Sequence, residues 1–213
     1  MKKVIRKYLW KLLGYNYFVF LNGQNKKYID KVKNVTIGYK TYHNGAFVLS
    51  WDKAATLSIG KYCSIANDVN FILDDGFHLQ SEITNFPHFN HIKQDIIKKS
   101  TELIEFKTNL KAVKSDIKIG NDVWIGMNSI ILPGVTVGDG VTIMAGSIVA
   151  KDVPDYAVVA GVPATIVKMK YEKSTIESLQ KIAWWNWENN KVEENWKDFY
   201  LPIELFINKW NKL

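Results

Sequence analysis

The sequence predicts a mainly β protein, a β-helix of hexapeptide repeats, from three observations. The stretch 113–154 divides into seven successive hexads: VKSDIK, IGNDVW, IGMNSI, ILPGVT, VGDGVT, IMAGSI and VAKDVP. A helix repeats about every 3.6 residues and a half-buried strand about every 2, so a period of six instead indicates stacked coils of short strands and corners. Each hexad begins with an aliphatic residue and has a small or β-branched residue at its fifth place, and glycine at the second or fourth place suits the corners. The first places are Val113, Ile119, Ile125, Ile131, Val137, Ile143 and Val149, and the fifth places are Ile117, Val123, Ser129, Val135, Val141, Ser147 and Val153.

The same period appears earlier in the chain. Ile37-Gly38 opens a faint repeat, and an irregular patch that contains Trp51 follows it. The segment LSIGKYCSIANDVNFIL then resumes the hexads. Its first places are Ile59, Ile65 and Phe71, and its fifth places are Cys63 and Val69. This register points Cys63 into the packed interior, which predicts a small core residue and not a nucleophile.

Residues 74–112 interrupt the period with an excursion that carries three of the four histidines and the turn-forming Asp75-Gly76. Long excursions from a regular solenoid are usually functional or disordered. Aromatic residues in this one favour order, and its second half is compatible with a short helix. We therefore assign residues 35–167 to a β-helix domain with a loop at 74–112.

Both ends of the chain are predicted to be helical. In the segment 1–34 an apolar helical face is expected to pack against its own protein, with an interfacial helix on anionic lipid as the alternative. That face comprises Val4, Ile5, Tyr8, Leu9, Leu12 and Leu13. The region 168–213 is predicted to form a helical cap in which Ser174 is an N-cap and the many aromatic residues pack. A sugar-binding aromatic platform remains the alternative for the tail.

Composition narrows the class of protein. The 213 residues have a net charge of +7 and a pI near 9.2 but no nucleic-acid-binding motif, so no nucleic-acid partner is expected. No apolar run reaches the roughly 18 residues of a membrane span, and Lys7 and Lys11 interrupt a signal-like start. Cys63 is the single cysteine, which favours a reducing cytoplasm. Peripheral membrane contact is possible but not favoured.

Several segments together resemble the xenobiotic acetyltransferase branch of the hexapeptide-repeat acyltransferases. They are IGYKTY, LSIGKYCSIANDVNFIL, GFH…TNFP, IKIGNDVWIGMNSIILPGVTVGDGVTIMAGSIVAKDVP and VAGVPATIVKMK, and the similarity spans about residues 35–187. The resemblance implies a left-handed parallel β-helix and use of acetyl-CoA. It also implies a homotrimer with each active site in the cleft between two neighbouring coils.

By this resemblance, His78 matches the catalytic histidine of the family. It lies where the excursion leaves the coil, and the Thr84-x-x-Pro87 element follows it. A neutral histidine, with a pKa near ~6.5, can take a hydroxyl proton and return it to a departing thiolate. The chain departs from the family at Phe77, where asparagine is usual. His43, His88 and His91 are the other histidines.

The resemblance also implies cofactor and acceptor positions. Small residues along the coil edge are expected to accommodate the pantetheine arm, lysines to meet the CoA phosphates, and aromatic side chains to form the acceptor pocket. The expected cofactor residues are Trp124, Gly126, Met144, Ala145, Ala160, Gly161, Lys168 and Lys170. The expected acceptor residues are Tyr42, Trp51, Phe77 and Phe86.

The function implied is an acetyl-CoA-dependent O-acetyltransferase, and we favour a saccharide of surface-polysaccharide synthesis as the acceptor. Inactivation of chloramphenicol or streptogramin antibiotics is the alternative within the family. A catalytically silent trimeric scaffold and a zinc hydratase, as in the related γ-class carbonic anhydrases, are alternatives of other classes. No metal is expected, since no histidine lies in the hexads 113–154.

Overall fold

The computed structural model describes residues 26–50, 55–73 and 115–211, together with six single residues. The six are Ile5, Tyr8, Leu9, Leu12, Ile83 and Phe86. Predictions about Trp51, Phe77, His78, His88 and His91 lie outside the described residues, as does almost all of the excursion 74–112.

Within these ranges the hexads form short strands arranged as a three-sided coil. The strands are β1 (Lys26–Tyr28), β2 (Val35–Ile37), β3 (Tyr42–His43), β4 (Phe47–Leu49), β5 (Leu57–Ile59), β6 (Ser64–Ile65), β7 (Asn70–Ile72), β8 (Ile117–Ile119), β9 (Trp124–Ile125), β10 (Ile130–Ile131), β11 (Thr136–Val137), β12 (Thr142–Ile143), β13 (Ile148–Val149), β14 (Ala157–Gly161) and β15 (Ala164–Met169). They form sheet A (β1-β4-β7-β10-β13), sheet B (β2-β5-β8-β11) and sheet C (β3-β6-β9-β12-β14-β15). The chain visits sheets B, C and A in turn, so one coil comprises three hexads. All pairs are parallel except β1–β4 and β14–β15.

The interior of the coil confirms the predicted register. From Ile119 to Val149 every first-place residue is at most 4% exposed, and the fifth places from Ile117 to Val153 are at most 7% exposed. Ser129 and Ser147 are buried at fifth places because their hydroxyls find acceptors inside. Ser129 Oγ donates to the carbonyl of Gly126 at 2.8 Å, and Ser147 Oγ donates to that of Met144 at 2.6 Å.

Polar side chains link successive coils at the corner between sheets B and C, the B–C corner (residues 60–62, 120–122, 138–140 and 154–156). The Lys61 N–H donates to Asn121 Oδ1 at 2.9 Å. The Asn121 N–H in turn donates to Asp139 Oδ1, and the Asp139 N–H donates to Asp155 Oδ1 at 2.8 Å. Each of these three backbone donors therefore has a side-chain acceptor from the next coil.

The N-terminal segment differs from the prediction in two respects. Residues 26–28 within the segment 1–34 form strand β1, which pairs with β4. Ile5, Tyr8, Leu9 and Leu12 have helical backbone, but they are 54% to 85% exposed. The expectation that this apolar face packs against its own protein is therefore wrong for the protomer at these four residues. Among the described residues, no helix is long and apolar enough to cross a membrane.

The C-terminal region forms three helices, α1 (Lys173–Ile182), α2 (Asn189–Glu194) and α3 (Ile203–Trp210), with 3₁₀ turns at Trp184–Asn186 and Trp196–Tyr200. Strand β15 extends to Met169, past the predicted boundary at 167. The N-cap position of α1 is Glu172, so the prediction of Ser174 as N-cap is wrong, and the helix ends at Ile182 before the tryptophans. Most of the aromatic tail packs, as expected, around Trp185 and Phe206 and against Tyr156 of the coil. Trp196 and Tyr200 are exposed.

Cys63 supplies a test of the register. Its side chain is fully buried, its Sγ donates to the Gly120 carbonyl at 3.1 Å, and burial raises its pKa to about 11. We expect the native thiol to react with a disulfide reagent at pH 8 far more slowly than the urea-unfolded thiol, since both access and thiolate are lacking. The chain has no other cysteine, so the signal belongs to Cys63. Equal native and unfolded rates would contradict the assigned register.

Candidate functional site

One row of sheet C brings together three of the predicted site residues. Tyr42, Trp124 and Lys168 occupy matching register positions on β3, β9 and β15. The full row is Tyr42, Ser64, Trp124, Thr142, Val158 and Lys168. Tyr42 and Trp124 are two strands apart, which is about 10 Å at the usual strand spacing. Trp124 is 52% exposed and Tyr42 is 56% exposed, so two aromatic faces project from one side of the coil.

Most of the remaining predicted cofactor residues lie along one edge of sheet C, the C–A corner (residues 126–128 and 144–146, where the chain passes to sheet A, and 160–161 at the end of β14 beside them). Backbone hydrogen bonds hold successive coils in register there. The Gly126 N–H donates to the Ile143 carbonyl at 2.8 Å, and the Met144 N–H donates to the Val159 carbonyl at 2.9 Å. Ala145 and Gly161 are exposed, and Met144 is 43% exposed. The corner is therefore an open edge with small side chains beside a flexible thioether.

Gly126 allows the coils to approach closely at this edge. A Cβ at this position would overlap the Ala145 nitrogen, which is backbone and cannot move aside. We expect Gly126→Ala to lower the free energy of unfolding by about 1–3 kcal/mol, measured by urea denaturation. Gly146→Asn is the control, since a Cβ there meets nothing within 4 Å and asparagine tolerates its φ of +73°. Gly126→Ala unfolding at the wild-type urea concentration would contradict this packing.

The two predicted phosphate-binding lysines differ in environment. Lys168 is exposed on β15. Lys170 is half-buried, its N–H donates to the Tyr156 carbonyl at 2.8 Å, and desolvation lowers its pKa while Asp122 opposes that shift. Lys168 is thus the better placed of the two to meet a phosphate in solvent.

His43 has a structural environment. Its Nε2 lies 2.9 Å from Asp30 Oδ1, and the Ala46 N–H donates to its Nδ1 at 3.5 Å. These contacts assign the proton to Nε2, which donates to the carboxylate. Both ring nitrogens are therefore engaged, and His43 is not free to act as a base.

Comparison with known proteins places the chain in a family. The model for the bacterial transferase hexapeptide (six repeats) matches residues 116–151. A probable macrolide acetyltransferase of Lysinibacillus sphaericus is 38% identical over 158 residues, which are 73% of this chain and 84% of the relative. The chain belongs to the hexapeptide-repeat acetyltransferases.

Two further relatives of this acetyltransferase differ in the acceptor that they are named for. A chloramphenicol acetyltransferase of Agrobacterium fabrum is 33% identical over 177 residues, 76% of this chain and 80% of the relative. A galactoside O-acetyltransferase of Escherichia coli K12 is 34% identical over 141 residues, 66% of this chain and 57% of the relative. The comparisons therefore establish the family, whereas the relatives are named for different acceptors.

The excursion of this acetyltransferase leaves the coil at a corner opposite sheet C. It follows β7 of sheet A and rejoins at β8 of sheet B, so it begins and ends at the corner between these two sheets, the A–B corner. In a three-sided coil the A–B corner lies opposite sheet C. Phe86, the one predicted acceptor residue of the excursion that is described, is half-exposed.

Asp122 is a charged residue of this acetyltransferase that was not among the residues predicted from the sequence. Its carboxylate lies at the B–C corner, and burial raises its pKa to about 6. The sequence did contain one indication. Asp122 occupies the fourth place of the hexad IGNDVW, which is a corner position, and a side chain at a corner can point inwards. Among the described residues, no group of three potential ligands is arranged to hold a metal ion.

Proposed function

We propose that this protein is an acetyl-CoA-dependent O-acetyltransferase that transfers an acetyl group to a saccharide hydroxyl in surface-polysaccharide synthesis. The observation that carries the proposal is the row of sheet C with Tyr42 and Trp124 exposed beside the open C–A corner. An exposed tryptophan on a coil that buries its aliphatic side chains has little packing role and suits a ligand.

The C–A corner fits the pantetheine arm of acetyl-CoA. The arm is long, narrow and rich in amides, and it needs an edge with exposed backbone and small side chains. Ala145, Ala160 and Gly161 supply that edge, and the Met144 side chain flanks it. Lys168, which is exposed on the same row as Trp124, would attract the CoA phosphates, and Trp124 would bound the cleft near the thioester.

The chemistry needs one base. In the proposed mechanism, His78 takes the proton of the acceptor hydroxyl as its oxygen attacks the thioester carbonyl carbon. The C–S bond then breaks, and His78 returns the proton to the departing sulfur. Direct attack is favoured over an acyl-enzyme, because Cys63 is fully buried with a pKa raised to about 11.

We further propose a left-handed coil, a cytoplasmic homotrimer and an active site shared between neighbouring copies. Within one protomer, His78 belongs to an excursion that leaves the A–B corner, whereas Trp124 and the C–A corner lie on the other side of the coil. A neighbour related by three-fold symmetry can bring its A–B corner to this sheet C face. The point at which the excursion leaves the coil lies opposite sheet C, which supports a site completed by a second protomer.

An antibiotic is a second candidate for the acceptor. Aromatic walls suit a sugar ring and a flat antibiotic equally, and relatives that match over 80% or more of their length are named for macrolides and chloramphenicol. Antibiotic O-acetylation is therefore retained beside the saccharide proposal.

Free-thiol release from acetyl-CoA tests both candidates. Purified protein is supplied with simple sugars, nucleotide sugars, a macrolide and chloramphenicol in separate reactions, and products are identified by mass spectrometry. We expect a sugar to be O-acetylated with thiol release in equal amount. Turnover only with an antibiotic would overturn the saccharide proposal, and absence of both turnover and acetyl-CoA binding would favour the scaffold.

A further inference from the structure

A cavity of about 220 Å³ lies between the B–C corner and the C-terminal helices. Half of the lining residues are aromatic, and two carboxylates line the cavity, that of Asp122 from the coil and that of Asp198 from the C-terminal region. The aromatic residues of the lining are Tyr156, Tyr171, Trp184, Phe199 and Phe206. Trp184 and Phe199 meet edge to face with ring centroids 4.8 Å apart, so the walls are held by their own packing. Such a concave site combines aromatic walls with a small number of polar groups, as small-molecule sites do.

The cavity is separate from the proposed acetyl-CoA edge. Asp122 precedes strand β9 at the B–C corner, whereas Gly126 follows the same strand at the C–A corner. The two corners bound opposite ends of the sheet C face. A ligand in the cavity would therefore leave the proposed pantetheine edge open.

Among the described residues, the Asp122 carboxylate has no hydrogen-bond donor, unlike the carboxylates of the aspartates near it. Asp139 and Asp155 accept backbone N–H groups, and Asp198 accepts from Lys209 Nζ at 2.6 Å and from Trp210 Nε1 at 3.1 Å. Within the described part of the chain, the Asp122 carboxylate has neither a hydrogen bond nor an ion pair within 4.0 Å. Burial and the charge of Asp139 raise its pKa, and only the nearby Lys170 opposes this shift.

We propose that this cavity binds a small organic ammonium ion with an aromatic or aliphatic body. The ammonium group would donate to Asp122, and the body would lie among Tyr156, Tyr171 and Trp184. An ammonium ion satisfies a half-desolvated carboxylate, and electron-rich ring faces stabilise a cation further. An anion would meet Asp122 as a like charge, and a metal ion would lack ligands among the described residues. The proposal concerns a second site and does not depend on the proposed transferase activity.

Calorimetric titration with phenethylammonium at pH 8 tests the proposal, with 2-phenylethanol as the neutral probe of the same shape. We expect phenethylammonium to bind and the alcohol to bind at least about tenfold more weakly, because the charged hydrogen bond is lost. Fluorescence of the tryptophans should change with the ammonium, since Trp184 lines the cavity.

Asp122→Asn removes the negative charge of the side chain and keeps its size. Asp122 has a φ of 54°, a left-handed conformation that asparagine adopts as readily as aspartate, so the fold should persist. Asp68→Asn is the matched control, since Asp68 has a φ of 59° at an exposed corner away from the cavity. We expect at least about a tenfold loss of phenethylammonium affinity for Asp122→Asn and none for Asp68→Asn. Failure of the wild type to bind, equal binding of the alcohol, or unchanged affinity in Asp122→Asn would each overturn the proposal.

Discussion

Replacing His78 by alanine is expected to lower kcat by about 10²–10⁴-fold while the coil unfolds at the wild-type denaturant concentration. This is the usual contribution of a positioned general base, and the wild-type base is proposed to handle both proton transfers. Steady-state thiol release from acetyl-CoA with the best acceptor, together with urea denaturation, measures the two quantities separately.

His43→Ala is the matched control because the same substitution is expected to give the reverse result. It removes the contacts to Asp30 and Ala46, so we expect a loss of about 1 kcal/mol in the free energy of unfolding and an unchanged kcat. If His78→Ala retained turnover within about twofold of the wild type, His78 would not be the base. His88 and His91 would then be the residues to replace.

The second large effect is expected for Ala145→Trp. Ala145 is exposed at the C–A corner, so the fold should accept a large side chain there. The indole would occupy the edge along which the pantetheine arm is proposed to lie, and misplacing a bound substrate by about 1 Å can cost about 10²-fold in rate. We expect at least that loss in kcat/KM for acetyl-CoA, with little change in the KM of the acceptor, whose pocket remains intact.

Lys173→Trp controls for the added tryptophan. The Lys173 side chain is 92% exposed at the start of α1, away from the corner. We expect it to keep the wild-type kcat/KM. Wild-type kinetics for Ala145→Trp as well would move the acetyl-CoA site away from this corner.

Which side chains of the coil are buried could be predicted from the sequence, because burial there depends only on the six-residue period. Trp124 and Thr142 are three hexads apart and pair in register, as one full coil requires. Tyr42 and Ser64 also pair, but three hexads and four further residues separate them, because the irregular patch before β5 adds length at a corner. The alignment of Tyr42 with Trp124 on one row therefore required the structure.

Features set by tertiary packing were not predictable in the same way. The segment VAGVPATIVKMK alternates apolar and polar residues only over its last four residues, VKMK, which is too short a pattern to predict the antiparallel hairpin β14–β15. Glu172 precedes α1 without a side-chain cap, and the start of this helix follows from its packing on the coil instead. The sequence could not indicate that Asp122 lines a cavity, because the C-terminal aromatic residues around it are brought there by tertiary packing.

Complementation between two inactive variants tests whether the acetyltransferase site is shared between neighbouring copies. His78→Ala and Ala145→Trp are co-expressed with different affinity tags, and trimers that carry both tags are purified in two steps. Each such trimer has about one site in three that combines an intact excursion from one copy with an intact C–A corner from its neighbour. We predict thiol release at about a third of the wild-type rate from these trimers, although each variant alone is nearly inactive. Mixed trimers that stay at the level of the single variants would contradict the shared site and place His78 and the C–A corner of one protomer in the same site.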